Sequence, residues 1–200
     1  MDAVLTVTPN PAVDIRMAVD AFRPGQKLSC DAPVYRPGGG GINVSRAIRE
    51  FGGDSTAFVV TCGETGAFLA GLLDDAGIDA RCFSGDGRTR QSVHVCERDS
   101  GDDFQFVPPG PEQSSGTLER LWEALRETLE QGAFDWVVGS GSLPPGLPDH
   151  FWRDLAGYCK EHGARFVLDT SGPALDAALG AGLYLVKPNR QEVERLRPHG

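Results

Sequence analysis

The sequence predicts a chain of the α/β class, a parallel sheet with a second, smaller sheet attached, and three observations carry that prediction. Short runs rich in β-branched residues alternate with amphipathic helical stretches from the amino terminus onward. The alternation breaks near residues 13–36 and again near 89–107, where half-wet strands take the place of helices. Between the breaks lies Pro37-Gly38-Gly39-Gly40-Gly41-Ile42-Asn43-Val44-Ser45, a run of four glycines that opens a helix.

In chain order, Ala3 to Thr8 reads as a buried strand closed by Asn10-Pro11, with its carboxyl end expected to face a site. Val13, Ile15 and Met17 alternate with Asp14 and Arg16, the period of a strand with one wet face that leaves the main sheet. Pro24 to Lys27 is a turn, and Ser29 to Tyr35 reads as a strand leading into the glycines. In the helix that follows, Val44, Ala47, Ile48 and Phe51 fall at the i, i+3, i+4, i+7 spacing of a buried face, and Gly52-Gly53 closes it. Thr56 to Val60 is a buried strand, and a helix with Leu69, Leu72, Leu73 and Ala76 on one face runs to Gly77.

Gln91–Glu97 and Asp103–Val107 form a hairpin around Asp99-Ser100-Gly101-Asp102. Its Phe and Val positions cannot all face water, which suits a lid that also dimerises. A structural helix follows, with Leu118, Leu121, Trp122, Leu125 and Leu129 on its stripe. Strands Phe134–Val138, Arg165–Asp169 and Leu183–Val186 then alternate with helices near 149–162 and 173–179.

Composition narrows the function classes. The 200 residues suffice for one well-filled α/β domain, and no repeat, linker or low-complexity tract divides them. A net charge of −9 argues against nucleic acid or an anionic membrane as the main partner. No apolar run approaches a membrane span, and the amino terminus enters a strand without a signal-like core, so a cytoplasmic chain is expected. Five scattered cysteines and four histidines show neither a disulfide framework nor metal-ligand spacing.

The candidate chemistry clusters at loop positions. Glycines before a helix deliver a ligand to unpaired N–H groups, which favour an anion or a ring of hydroxyls, and Asn43 there can both donate and accept. Asp14, on a wet strand face, is either an acceptor for adjacent sugar hydroxyls or an ordinary exposed acid. Lys27 is either a phosphate contact or a solvated lysine, and Arg88 and Arg90 before the hairpin are either a bidentate phosphate clamp or solvated. Gly139-Ser140-Gly141-Ser142 starts like a dinucleotide fingerprint, but Pro144-Pro145 holds the chain extended where that fingerprint needs a helix, which excludes a Rossmann dehydrogenase. Lys187-Pro188-Asn189-Arg190-Gln191-Glu192 ends the last strand with groups suited to phosphate and hydrated magnesium, or simply with an Asn-capped helix.

Taken together, Thr8-Pro9-Asn10-Pro11-Ala12-Val13-Asp14, the Pro37-to-Arg46 stretch, Gly141-Ser142-Leu143-Pro144-Pro145-Gly146 and Lys187-Pro188-Asn189-x-x-Glu192 resemble the ribokinase-type carbohydrate kinases of the phosphofructokinase B family, in the family's own order. The resemblance implies a doubly wound, mostly parallel α/β core with a β-sheet lid, a homodimer through the lids, and transfer of the γ-phosphoryl of magnesium-ATP to a ketohexose phosphate. Carried over by position, Asp14, Gly38, Gly39 and Asn43 would hold the sugar. Lys27 and Arg90, with Ser142 nearby, would contact its phosphate. Lys187 and Asn189 would face the nucleotide phosphates, and Glu192 would organise magnesium through water.

Glycine at position 40, where 1-phosphofructokinases and tagatose-6-phosphate kinases usually carry lysine, resembles the 6-phosphofructokinase branch and implies fructose 6-phosphate; the 1-phosphate and tagatose readings stay open. The family's later Gly-Ala-Gly-Asp stretch, source of the anion hole and the catalytic base, has no counterpart up to Gly200, and Gly180-Ala181-Gly182 runs into a strand instead. The 200 residues are therefore expected to bind the sugar phosphate and to be inactive alone. A non-catalytic sugar-phosphate-binding fragment is the alternative of another class.

Overall fold

A computed structural model describes residues 3–188. Asn189 and Glu192, expected at the nucleotide, lie outside the described residues. The main sheet holds β1 (Val4–Thr8), β4 (Thr56–Cys62), β5 (Asp79–Gly85), β8 (Trp136–Ser140), β9 (Arg165–Asp169) and β10 (Leu185–Val186) in the order β10-β9-β8-β1-β4-β5, every pair parallel. The chain thus builds outward from β1 in both directions, and the crevice between the carboxyl ends of β1 and β8 is the topological switch point of the sheet.

Strand alternation divides the interior into two cores. Leu5 and Val7 of β1, with Phe58, Val60 and Cys62 of β4, pack with Leu121 and Leu125 of α3 (Ser115–Gly132), Phe151, Trp152 and Leu155 of α4 (Phe151–Glu161) and Leu175 of α5 (Pro173–Ala178). Ala57 and Val59 point the other way, to Ile42 of α1 (Gly40–Glu50) and Leu69 and Leu73 of α2 (Gly63–Asp75). Toward α1, β1 presents threonines: the hydroxyls of Thr6 and Ser45 are hydrogen-bonded at 2.7 Å, and the N–H of Ile42 donates to Thr8 Oγ1 at 3.1 Å. A strand hydroxyl thereby satisfies one of the orphan amides at the start of α1, whose N-cap position, Gly39, has no side chain to do so.

That contact overturns one expectation. The buried residues of α1 are Gly41, Ile42 and Ser45; Ala47 is exposed, Val44 and Ile48 are half-buried, and Phe51 stands 91% exposed at the carboxyl end. The helix approaches the sheet through small and hydroxylated residues because its axis lies close to β1, so an apolar periodicity points to the wrong side. Three further differences concern the strands. The strand expected at Ser29–Tyr35 begins only at Val34, β10 is two residues long, and β5 was not anticipated. β5 is an edge strand on which Ala80 and Phe83 are half-buried among exposed neighbours, which leaves little hydrophobic signal.

The second sheet has the order β3-β2-β6-β7, from β2 (Ala12–Val19), β3 (Val34–Gly38), β6 (Arg90–Glu97) and β7 (Asp103–Phe106). β2 runs parallel to β6 and antiparallel to β3, and β6 and β7 form the hairpin. The registers sort its side chains. One face carries Asp14, Arg16, Arg36, Arg90, Ser92 and His94; the other carries Val13, Ile15, Tyr35, Val95, Phe104 and Phe106. Val13 and Ile15 join the α1/α2 core and Tyr35 meets Phe68 of α2 edge-on, so the apolar face is seated on the body at that end and the polar face is left for a ligand.

Ile42→Ala should destabilise the chain by about 2–5 kcal/mol, whereas Phe51→Ser should change stability by less than about 0.5 kcal/mol. Urea denaturation of the two variants checks this; a larger loss at Phe51 would restore the apolar-stripe reading of α1.

Candidate functional site

Side chains from both sheets converge at the switch point. Position 38 pairs with Ala12, one row from Asp14, and a Cβ at Gly38 would occupy the space of the Asp14 carboxylate itself. Glycine there lets the carboxylate fold back toward the start of α1. At Gly39 the backbone has φ 134°, and a Cβ would come within 2.6 Å of Thr8 Cγ2. A Cβ at Gly40 would lie 2.8 Å from the carbonyl carbon of Ser140 and 2.9 Å from the nitrogen of Gly141. The glycines are thus required first by the protein's own neighbours, which bring the helix start against β1, β2 and the loop after β8. The first helical bond runs from Asn43 N–H to Gly39 O at 2.9 Å, so the amides of Gly40 and Gly41 precede the ladder. Asn43 is exposed on that first turn.

Arg90 begins β6 beside Ala12. Its guanidinium is anchored by three carbonyls: Nη2 donates to Asn10 O at 2.9 Å, Nη1 to Pro108 O at 3.2 Å and Nε to Pro11 O at 3.4 Å. Five N–H donors are available to a guanidinium, so the fork is held in place with donors to spare. Arg90, Asn10 and Ser142 line a cavity of about 460 Å³ roofed by Val107 to Gly110. Ser142 also borders a second cavity of about 320 Å³, shared with Gly40, Ser140, Gly141, Asp169, Thr170 and Lys187. There Lys187 Nζ stands 3.3 Å from Asp169 Oδ1, Ser140 Oγ donates to Asp169 Oδ2 at 3.2 Å, and Thr170 Oγ1 donates to Gly141 O at 2.9 Å.

Burial raises the carboxyl pKa of Asp14 above the ordinary 3.8, against the pull of His94, Arg90, Arg46 and Arg16. Burial also lowers that of Arg90, with Asp14 opposing. Burial leaves both groups poorly hydrated, which strengthens their interaction with any polar ligand.

The structure thus places Asp14 against Gly38, Arg90 and Ser142 on one cavity, and Gly40, Ser142 and Lys187 on the next, with Gly39 and Asn43 at the start of α1 between strand and helix. Lys27 is not among them within one chain. It is exposed in the loop after β2, beside Val19, Asp20 and Arg23, and the seven residue-to-residue steps from Ala12 to Val19 carry it about 23 Å along the strand from Arg90. Asn10 reads in the sequence only as a turn residue, and Asp169 only as the end of a strand, yet both stand at these cavities. A carboxylate at the last position of a parallel strand was the available signal for the second.

The sequence pattern of the pfkB family carbohydrate kinases matches residues 8–199. The chain belongs to this family. As a pfkB protein it is 40% identical over 190 residues to the ATP-dependent 6-phosphofructokinase isozyme 2 of Mycobacterium tuberculosis, covering 95% of this chain and 55% of that one. It is also 40% identical over 197 residues to the isozyme 2 of Escherichia coli, covering 98% and 63%. The solved structure of Escherichia coli phosphofructokinase-2 in complex with fructose-6-phosphate superposes with a TM-score of 0.89 at 37% identity, over 98% of this chain and 64% of that one. A possible 1-phosphofructokinase from Thermotoga maritima gives 0.86 at 26% identity, over 94% and 61%. This pfkB chain thus spans about 55–64% of the length of these relatives.

Gly40→Ala should lower the melting temperature with no ligand present, by roughly 2–4 °C for each kcal/mol of clash. A differential scanning measurement giving an unchanged midpoint would show that α1 does not sit against the loop after β8.

Proposed function

We propose that this chain binds a ketohexose phosphate, fructose 6-phosphate first among them, and that a protein combining it with the remaining length typical of its relatives transfers the γ-phosphoryl of ATP to that sugar. One observation carries the reading: a carboxylate and an anchored guanidinium stand one row apart on the same face of the second sheet, over the switch point. That spacing suits a small molecule with hydroxyls at one end and a phosphate at the other.

In this reading Asp14 accepts hydrogen bonds from adjacent sugar hydroxyls and Asn43 holds another, while Gly38 and Gly39 let the ring approach the backbone. Arg90 and Ser142 take the sugar phosphate. Lys187 and Asn189 face the nucleotide phosphates. Glu192 would organise hydrated magnesium, which needs few protein oxygens, and Asp169 holds Lys187 in place through their ion pair. Magnesium, when bound, neutralises charge on the phosphates. Lys187 and the Gly40 and Gly41 amides are suited to stabilise anionic oxygens in the same way, while the hydroxyls of Ser140 and Thr170, which donate to Asp169 and to Gly141 O, hold the wall of the cavity.

Fructose 6-phosphate is favoured by glycine at position 40 and by the names of the relatives at 40% identity; the relative at 36% identity, a 1-phosphofructokinase of Xanthomonas campestris, makes the isomeric substrate fructose 1-phosphate the comparator, with tagatose 6-phosphate as a second. A homodimer through the lids is supported by the exposed aromatic residues Tyr35, Phe104 and Phe106 on the apolar face.

Calorimetric titration of the 200-residue chain with fructose 6-phosphate should show binding that Asp14→Ala weakens roughly 10- to 100-fold, the scale of a hydrogen bond to a charged group. Unchanged affinity with a large drop in melting temperature would make Asp14 structural. Because burial raises the Asp14 pKa, the affinity should begin to fall at a pH above the ordinary 3.8 as the carboxylate gains its proton. A profile flat down to pH 4 would remove Asp14 from the sugar.

A further inference from the structure

We infer that Asn10 is a positioning residue of the phosphate subsite, acting through Ser142 and Arg90. The inference rests on the reading that Arg90 and Ser142 receive the sugar phosphate. Asn10 touches both. Its side-chain Nδ2 donates to Ser142 Oγ at 3.0 Å, and its backbone carbonyl accepts from Arg90 Nη2 at 2.9 Å.

Among the described residues, the carboxamide is buried with only its nitrogen paired. Asn10 is only 6% exposed, and its Oδ1 is buried without a hydrogen-bond partner among the described residues. Gly110 closes over it, and a Cβ at that glycine would collide with the Asn10 amide. Burying an unpaired carbonyl oxygen is unfavourable, and a leucine of nearly the same shape would avoid it. The penalty falls on the oxygen, so the benefit must come from the nitrogen.

That benefit follows from hydroxyl geometry. A serine hydroxyl has one proton and two lone pairs. When Asn10 fills a lone pair of Ser142 from behind, the Ser142 proton is left to point into the cavity shared with Arg90. The hydroxyl is then oriented as a donor, which a phosphate requires and which a carbonyl-lined pocket would not provide. Arg90 is fixed from the same residue, so one loop position sets the relative placement of two donors, one on the second sheet and one in the loop after β8.

Two substitutions separate this role from a packing role. Asn10→Leu should leave the melting temperature unchanged or raised, and weaken fructose 6-phosphate about 10-fold while leaving fructose binding unaltered. In a Ser142→Ala background the same change should have no further effect, because its route to the ligand is already gone. Asn10→Asp places an acceptor where a donor stood, so Ser142 turns its proton toward the carboxylate and a negative charge faces the phosphate. Its affinity should be lower than that of Asn10→Leu at pH 7.5 and recover toward pH 5 as the new carboxyl gains a proton to donate. The Ser142→Ala background should abolish the part of that recovery beyond the loss of charge.

Equal affinity of the unaltered chain and Asn10→Leu for fructose 6-phosphate overturns the inference alone. So does an equal further loss in the Ser142→Ala background. Failure of the unaltered chain to bind fructose 6-phosphate at all overturns it together with the reading on which it rests.

Discussion

Everything in the site depends on how closely the start of α1 can approach its neighbours. The Gly38–Gly41 run lets backbone stand where side chains would otherwise separate β3, α1, β1 and the loop after β8. The Asp14 carboxylate occupies the room left at residue 38, and the Ser140 hydroxyl that left at residue 40. Thr8 holds the junction shut by accepting from the Ile42 amide. A helix whose first turn is sealed in this way leaves the amides of Gly40 and Gly41 outside its own hydrogen-bond ladder, with Gly40 on the cavity shared with Lys187.

The second sheet is the complement of that junction. Its apolar face is anchored on α2 at one end, so its polar face overhangs the switch point with Asp14 and Arg90 leading. Both are kept from water enough to be shifted, in opposite directions, by burial. Catalytic and binding constellations need such preorganisation, since groups that must first shed solvent or change rotamer spend part of the binding energy on themselves. The three backbone carbonyls around Arg90 serve the same end.

Much of this was legible in the sequence, and the failures have physical causes. Alternation of strands and helices is a burial pattern, and it located the parallel sheet because β1 and β4 are buried on both sides and β8 and β9 are fully buried on one. The half-wet period at Val13–Met17 placed Asp14 on a polar face for the same reason. The helix after the glycines misled because close packing used Gly41 and Ser45, residues that a hydrophobicity pattern scores as outside. Asn10 and Asp169 were passed over because their roles arise from contacts 132 and 18 residues away, which no local period encodes. Lys27 was grouped with the phosphate by position in a motif, and only the length of β2 shows how far from Arg90 it stands in its own chain.

Backbone amides at the glycine junction give the most direct test. Amide chemical shifts of the ¹⁵N-labelled chain, followed during addition of fructose 6-phosphate, should move most at Gly39, Gly40, Gly41 and Asn43 and little at the opposite end of the sheet, around Arg49, Ser55 and Gly77. Movement confined to Arg49, Ser55 and Gly77, with the glycine amides still, would place the ligand at the wrong end of the strands and contradict the account.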